Sequence, residues 1–184
     1  MNLFQSLVVI VSLLLSELIY ADEAASKFFM GVYNAMCVQS GGRTEIITKI
    51  LEGKGAPKLT PEQAQPFLQG KIGTAWPIVV SEGSFVLVAT SDNMCSLFAK
   101  KADTKEVESF FSSFFTSFAK QPNIVMLKQD KNEKKVDGGV LTTISYLMTV
   151  GDAKDAFDIR LTTSTSTTSN VQALASIAMV KNSE

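Results

Sequence analysis

The second half of the chain alternates β-type segments with short polar turns, and this arrangement limits the possible folds more than any other feature. Four segments are rich in branched and aromatic side chains: residues 123–129, 138–150, 156–164 and 170–180. Turn-type residues dominate the stretches between them: 130–139, 151–155 and 165–170. Consecutive strands with short connections favour antiparallel pairing. The sequence therefore predicts an antiparallel meander of about four strands.

A hairpin and a phenylalanine-rich helix precede this meander. Residues 84–90 and 94–100 are β-type runs separated by a three-residue turn. In the stretch 102–122, Asp103 and Glu106 have the spacing of a capping box. One apolar stripe follows at helical spacing: Val107, Phe110, Phe111, Phe114, Phe115 and Phe118. We interpret the stripe as the face that packs on the sheet; the alternative is an aromatic row that lines a ligand pocket.

Three further helices are predicted before the hairpin, at residues 23–37, 42–55 and 59–71. The third has the clearest start, because Thr60 can cap it, Pro61 suits the first helical position and Gln63 completes a capping box. The predicted fold class is α+β. Its elements are a helical N-terminal half, a β-hairpin, the phenylalanine-rich amphipathic helix and the meander, with one sheet and helices packed on it. We expect a single domain over residues 22–184.

The first 21 residues have the pattern of a secretory signal. The apolar run from Leu7 to Leu15 is shorter than the roughly 20 residues that span a bilayer. Ala21 offers a small residue at a cleavage site. We therefore expect a cleaved signal peptide and export to the periplasm of a Gram-negative bacterium. The alternatives are a retained amphipathic anchor and a first core helix, because no basic residue precedes the run and Glu17 lies late in it.

Cys37 and Cys95 are the two cysteines of the chain, and in an exported protein two cysteines most simply pair. A thiol nucleophile normally needs a histidine, and the sequence contains none. A zinc site with two thiolates and no histidine is uncommon, and the CxxC spacing of redox enzymes is absent. The sequence therefore predicts a structural disulfide across a loop of about 60 residues, a length at which cross-linking strongly restricts the unfolded chain.

Composition excludes several classes of function. Without histidine, serine triads, histidine-ligated metals and histidine acid–base catalysis are ruled out. The chain has 17 basic residues and 18 acidic ones, one of which is Glu17 in the signal, so nothing favours binding to nucleic acid. No second long apolar segment follows, so we expect no membrane span after signal removal. We predict no catalytic residues, no metal ligands and no cofactor.

Four short stretches of the chain together resemble a family of small, largely uncharacterised exported proteins and lipoproteins of proteobacteria. They are "MCVQSGG" with its cysteine and glycine break, "PEQAQPFLQG", "GTAW", and "CSLFA" leading into an acid-capped helix. The resemblance covers roughly residues 33–118. It implies a location in the bacterial envelope and no particular reaction. The chain departs from the lipoprotein members because no lipid-acceptor cysteine follows the signal.

The stretch 71–80 contains Trp76, the only tryptophan, which we interpret as part of a linker between the helices and the sheet. Trp76 is expected to be either a buried structural anchor or an exposed anchor for a partner. We predict a non-enzymatic envelope protein that binds another protein, as an inhibitor or immunity protein does. The alternative is a carrier of a small apolar ligand, with the phenylalanine-rich helix lining its pocket.

Overall fold

Seven strands form one antiparallel sheet in the computed structural model, which describes residues 23–181. In chain order they are β1 (Gly73–Val80), β2 (Gly83–Thr90), β3 (Met94–Ala99), β4 (Ile124–Val136), β5 (Gly139–Val150), β6 (Asp155–Ser164) and β7 (Ala173–Lys181). Their order across the sheet is β1-β2-β3-β7-β6-β5-β4. The predicted meander is therefore β4 to β7, and the pairing of β7 with β3 joins it to the hairpin. The expected signal segment, residues 1–21, lies outside the described residues.

Four helical segments pack on this sheet, and the α+β class is confirmed. Residues 23–32 form α1, which continues as a π-helical turn, Tyr33–Val38. Helix α2 is Thr44–Gly53, α3 is Pro61–Leu68 and α4 is Thr104–Phe118. The capping box predicted for α3 is present, because the Thr60 side chain accepts from the Gln63 N–H and the Gln63 side chain accepts from the Thr60 N–H.

Helix α4 begins at the predicted cap and lies on the sheet by its phenylalanine stripe. The Asp103 carboxylate accepts a hydrogen bond from the N–H of Glu106 at 3.0 Å. Three residues of the stripe are fully buried: Val107, Phe111 and Phe115. Glu108, which directly follows Val107, accepts a hydrogen bond from the Thr163 hydroxyl of β6. Its carboxylate also pairs with Lys131 of β4 at 3.4 Å. The interpretation of the stripe as a sheet-packing face is thus confirmed for its buried half.

The helices cover the two faces of the sheet unequally. The π-helical turn contacts β3 and β7, α2 contacts β2, and α4 contacts β5 and β6, so these three share one face and its large core. Helix α3 contacts β1 and β2. Its Ala64 belongs to a second, smaller core with Ala75, Val88 and Phe98, which alternate with the residues of the first core along their strands. Among the described residues, α3 therefore covers the face opposite α4 at its β1 end.

The sequence predicts a linker at residues 71–80, but the structure has strand β1 there. Pro77 lowers the strand signal, since proline cannot donate to a neighbouring strand. Within residues 23–181, β1 is an edge strand and β2 is its one paired neighbour. The Ala75 carbonyl accepts from the Leu59 N–H at 2.9 Å and so faces away from β2. Pro77, two residues on, has its nitrogen on the same free side, where the missing N–H leaves no ladder bond unmade.

The predicted loop at residues 130–139 was also wrong. Strand β4 continues through the charged run to Val136, and only Asp137 and Gly138 make the turn into β5. The interpretation failed because lysine and glutamate are rare in half-buried strands. This half of β4 is exposed and lies at the sheet edge, where charged side chains are favoured because they discourage pairing with another chain.

Cys37 and Cys95 form the predicted disulfide, with their Cα atoms 5.3 Å apart. Cys37 lies in the π-helical turn and Cys95 near the start of β3, and both are fully buried. The bond therefore fixes the end of the first helix onto the centre of the sheet. None of the helices in residues 23–181 is long and apolar enough to span a bilayer.

Candidate functional site: an apolar cavity at the end of helix α4

A cavity of about 280 Å³ lies between the sheet and the C-terminal end of α4. The sheet supplies one wall, at the end where β5 and β7 finish and β6 begins. Its side chains come in pairs from these three strands: Met148 and Val150, Phe157 and Ile159, Ile177 and Met179. Residues two apart along a strand point to the same face, which explains why each strand contributes an alternate pair.

Helix α4 supplies the second wall through Phe115 and Phe118. Phe115 is fully buried and its ring centroid lies 5.5 Å from that of Tyr146, so this side chain is fixed in the core. Phe118 is only partly buried and its ring packs edge-on against Phe115 at 6.4 Å. The last turn of the phenylalanine stripe thus lines a space, while its earlier turns fill the core.

The third wall is the loop that leaves the π-helical turn, and two glycines give it its path. Gly41 and Gly42 both have positive φ angles, 61° and 75°. A Cβ on Gly41 would lie 3.3 Å from the ring of Phe157, and one on Gly42 would lie 2.8 Å from the backbone oxygen of Asn93. The glycines therefore let the loop approach the sheet closely, and the loop then delivers Arg43 to the cavity.

Hydrogen bonds hold this loop against the disulfide. The Gly42 N–H donates to the Cys37 carbonyl at 3.0 Å, and the Ser40 hydroxyl donates to the same carbonyl at 3.0 Å. Nearby, the fully buried Tyr33 donates its hydroxyl to the Ser176 carbonyl at 2.7 Å. Burial raises the pKa of Tyr33 well above its usual range, so this hydroxyl remains a donor. The π-helical turn and the loop that follows it form the rim of the cavity, and this rim is thus attached to both β3 and β7.

The cavity can hold an apolar group and can recognise one charge. Apart from Gln39 and Arg43, the side chains of its lining are apolar. Cavities with such walls favour apolar ligands because they offer no hydrogen bonds in place of those lost with water. The guanidinium of an arginine offers N–H donors and no acceptor. The side chains of the lining therefore suit binding of a ligand that has an apolar part and one hydrogen-bond acceptor.

The residues singled out from the sequence lie at different distances from this cavity. Cys37 precedes Val38, a residue of the lining, so the predicted disulfide supports its rim. Trp76 is 1% exposed and packs in the main core from β1, at the other edge of the sheet from the cavity strands. Trp76 is therefore a buried structural anchor and not an exposed anchor for a partner. Arg43 and the cavity-lining methionines were missed, because nothing in their local sequence distinguishes them from surface and core residues.

Both edges of the sheet are poorly suited to adding a strand from another protein. On β1, the Ala75 carbonyl is already bonded to Leu59, and Pro77 has no N–H to offer. On β4, the exposed half carries six charged side chains of both signs from Lys128 to Lys135. Two apolar side chains are exposed here: Ile72, just before β1, is 80% exposed, and Val79, within β1, is 77% exposed. Isolated residues of this kind are common on protein surfaces.

A larger groove, of about 800 Å³, lies on the opposite face between α3 and the β4–β5 hairpin. Phe67, Phe98 and Leu174 form an apolar floor, and the side chains around it are mostly hydroxyls of residues 162–169. Among the described residues that line this groove none is basic and six are serines or threonines, whereas the cavity under α4 has Arg43 and no hydroxyl side chain in its lining.

Comparisons of the chain with protein-family models, with curated proteins and with solved structures give no match. The family resemblance therefore stays a prediction. Within residues 23–181, histidine, cysteine, aspartate and glutamate side chains form no group of three that could hold a metal ion.

Proposed function

We propose that this protein is an exported, non-enzymatic binding protein that holds a small apolar ligand in the cavity under α4. The observation that carries the proposal is the cavity itself, with two phenylalanines of α4 on one side and six apolar side chains of three strands on the other. Ligand sites are typically concave, largely apolar and provided with a few convergent polar groups. The lining contains no nucleophile and no carboxylate, which supports binding without chemistry.

The rigidity of the surroundings supports the same function. The rim is tied to the sheet by the Cys37–Cys95 bond and by the hydrogen bonds to the Cys37 carbonyl. A site formed before the ligand arrives avoids the entropic cost of ordering loops on binding. Binding of a second protein remains an alternative proposal. It is less favoured because Pro77 on β1 and the charges on β4 make both edges of the sheet poor sites for adding a strand.

Two exposed valines provide a matched test of the cavity. Val150 lines it and is 42% exposed. Val125 is 50% exposed, is the second residue of β4, next to the Ile124 that pairs with Val150, and is not part of the lining. We expect the small neutral fluorescent probe 1-naphthylamine, a bicyclic aromatic amine, to bind saturably to the native protein. Val150→Asp should weaken that binding about tenfold or more, because it places a charge beside the apolar walls. Titrations followed by probe emission measure the effect.

The control for this test is Val125→Asp, which introduces the same charge on the neighbouring strand. Both substitutions are at exposed positions, so both variants should remain folded, with changes in the free energy of unfolding within about 0.5 kcal/mol. Equal probe affinity in the two variants would contradict the assignment of the cavity. A native protein that shows no saturable binding would remove it altogether.

Export is the second part of the proposal and has its own test. We expect the mature protein to begin at Asp22 and to fractionate with the periplasm, an oxidising compartment in which a disulfide persists. The buried Cys37–Cys95 bond supports this location. N-terminal sequencing of protein from fractionated cells makes the measurement. Intact Met1 on protein from the cytoplasmic fraction would contradict export.

A further inference from the structure

We propose that Arg43 makes the cavity selective for a small amphiphile with a carboxylate head group, such as a medium-chain fatty acid. This inference rests on the proposed ligand cavity and adds the chemical class of its ligand. Three observations support it: the ion-pair partners of the two arginines, the position of the Arg43 guanidinium and the size of the apolar space.

Arg43 differs from the other arginine of the chain in its partners. Arg160 donates from two nitrogens to the two carboxylate oxygens of Asp158, at 2.9 and 2.7 Å. Among the described residues, the ion pairs include no carboxylate partner for Arg43. The terminal nitrogens of Arg43 are therefore available to an anion from outside, in an end-on contact rather than the side-on contact that Arg160 makes.

The guanidinium of Arg43 is oriented by its own loop. Its Nε donates to the Ser40 carbonyl at 3.0 Å, which leaves the two terminal nitrogens for another acceptor. The side chain does not cap α2, although the residue occupies the N-cap position. The preceding glycines and the Cys37 hydrogen bonds fix the backbone from which it projects. Arg43 is thus an exposed, positioned cation at the edge of an apolar space.

The volume of the cavity limits the apolar part of the ligand. Its 280 Å³ is about twice the roughly 150 Å³ of an apolar protein cavity that accepts benzene. At about 30 Å³ for each small group, the space suits an apolar portion of about nine non-hydrogen atoms. A short alkyl chain or a bicyclic ring meets this limit. With its apolar part in the cavity, such a ligand would place a terminal carboxylate at the rim beside Arg43.

Calorimetric titration with three ligands of equal chain length tests the head group: decanoate, 1-decanol and decyltrimethylammonium, at pH 7.5, low salt and concentrations below self-association. The native protein should bind decanoate about tenfold or more tightly than decanol, since hydrogen bonds between two charged groups are about twice as strong as neutral ones. Arg43→Gln should abolish this preference and leave decanol affinity unchanged. Arg43→Glu should reverse it in favour of the cationic ligand.

The matched control is Arg160→Gln, which removes an arginine that lies outside the cavity lining and should keep the native preference. Melting temperatures establish that each variant is folded. Equal binding of decanoate and decanol by the native protein would overturn the role of Arg43 and leave the apolar cavity in place. Failure of all three ligands to bind saturably would overturn both the head-group selectivity and the proposed function.

Discussion

Trp76→Ala is expected to lower the free energy of unfolding by about 3–5 kcal/mol, the range for removing a large aromatic side chain from a core. Trp76 is 1% exposed and belongs to the largest core cluster, on the inner face of β1 opposite Leu87. Its removal would leave a cavity under an edge strand, which is held on only one side by a neighbour. Urea denaturation, followed by far-UV circular dichroism, measures the change.

Two further substitutions show whether the loss comes from the core. Val79→Ala, on the same strand but 77% exposed, should change stability by less than about 0.5 kcal/mol. Trp76→Phe should cost clearly less than Trp76→Ala, partly because the indole Nε1 is buried without a hydrogen-bond partner in the structure. A Trp76→Ala protein as stable as the native one would contradict the buried position and restore the partner-anchor interpretation.

Removing the Cys37–Cys95 bond is expected to cost about 2–5 kcal/mol of unfolding free energy. The bond joins residues 58 positions apart, so it restricts the unfolded chain over a long loop. It also ties the π-helical turn at the end of α1 to an interior strand of the sheet, because β3 lies between β2 and β7. Replacing both cysteines and measuring the denaturation midpoint tests this expectation.

The replacement should be made with alanine as well as serine, because both positions are fully buried and serine would add two hydroxyls to the core. Protein from the periplasm should weigh about 2 Da less under denaturing, non-reducing conditions than after reduction, through loss of two thiol hydrogens. Two free thiols in that protein would contradict the disulfide in the cell. Unchanged stability of the double alanine variant would show that the bond has no structural role.

The features that sequence alone predicted are those specified by local patterns. The phenylalanine stripe and Asp103 define α4, and the Thr60 box defines α3, because caps and helical periodicity depend on residues a few positions apart. The disulfide followed from composition, since only two cysteines are present. Strand β1 and the charged half of β4 were missed for a common reason. Both are edge strands, where proline and charge are tolerated because one side of the backbone is unpaired.

The cavity could not be predicted, because its walls come from parts of the chain that only the fold brings together. Gly41, Phe118, Val150 and Ile177 lie in four separate elements or loops, and none has a sequence signature of a binding site. Phe118 belonged to the stripe, but the stripe pattern does not show which turn of α4 extends beyond the core. Arg43 is one of 17 basic residues, and its lack of an acidic partner is visible only in three dimensions.

The central position of β7 sets an order of events during folding. Although it is the last of the strands in residues 23–181, it lies between β3 and β6, and Ala99 pairs with Ala173 across a long sequence separation. Until β7 arrives, β1–β3 and β4–β6 are two half-sheets, each with an unpaired inner edge. If the chain crosses a membrane from its N-terminus, as we propose, this sheet would be completed only after β7 has crossed. Cys37 and Cys95 would then reach an oxidising compartment before the core that buries them is complete.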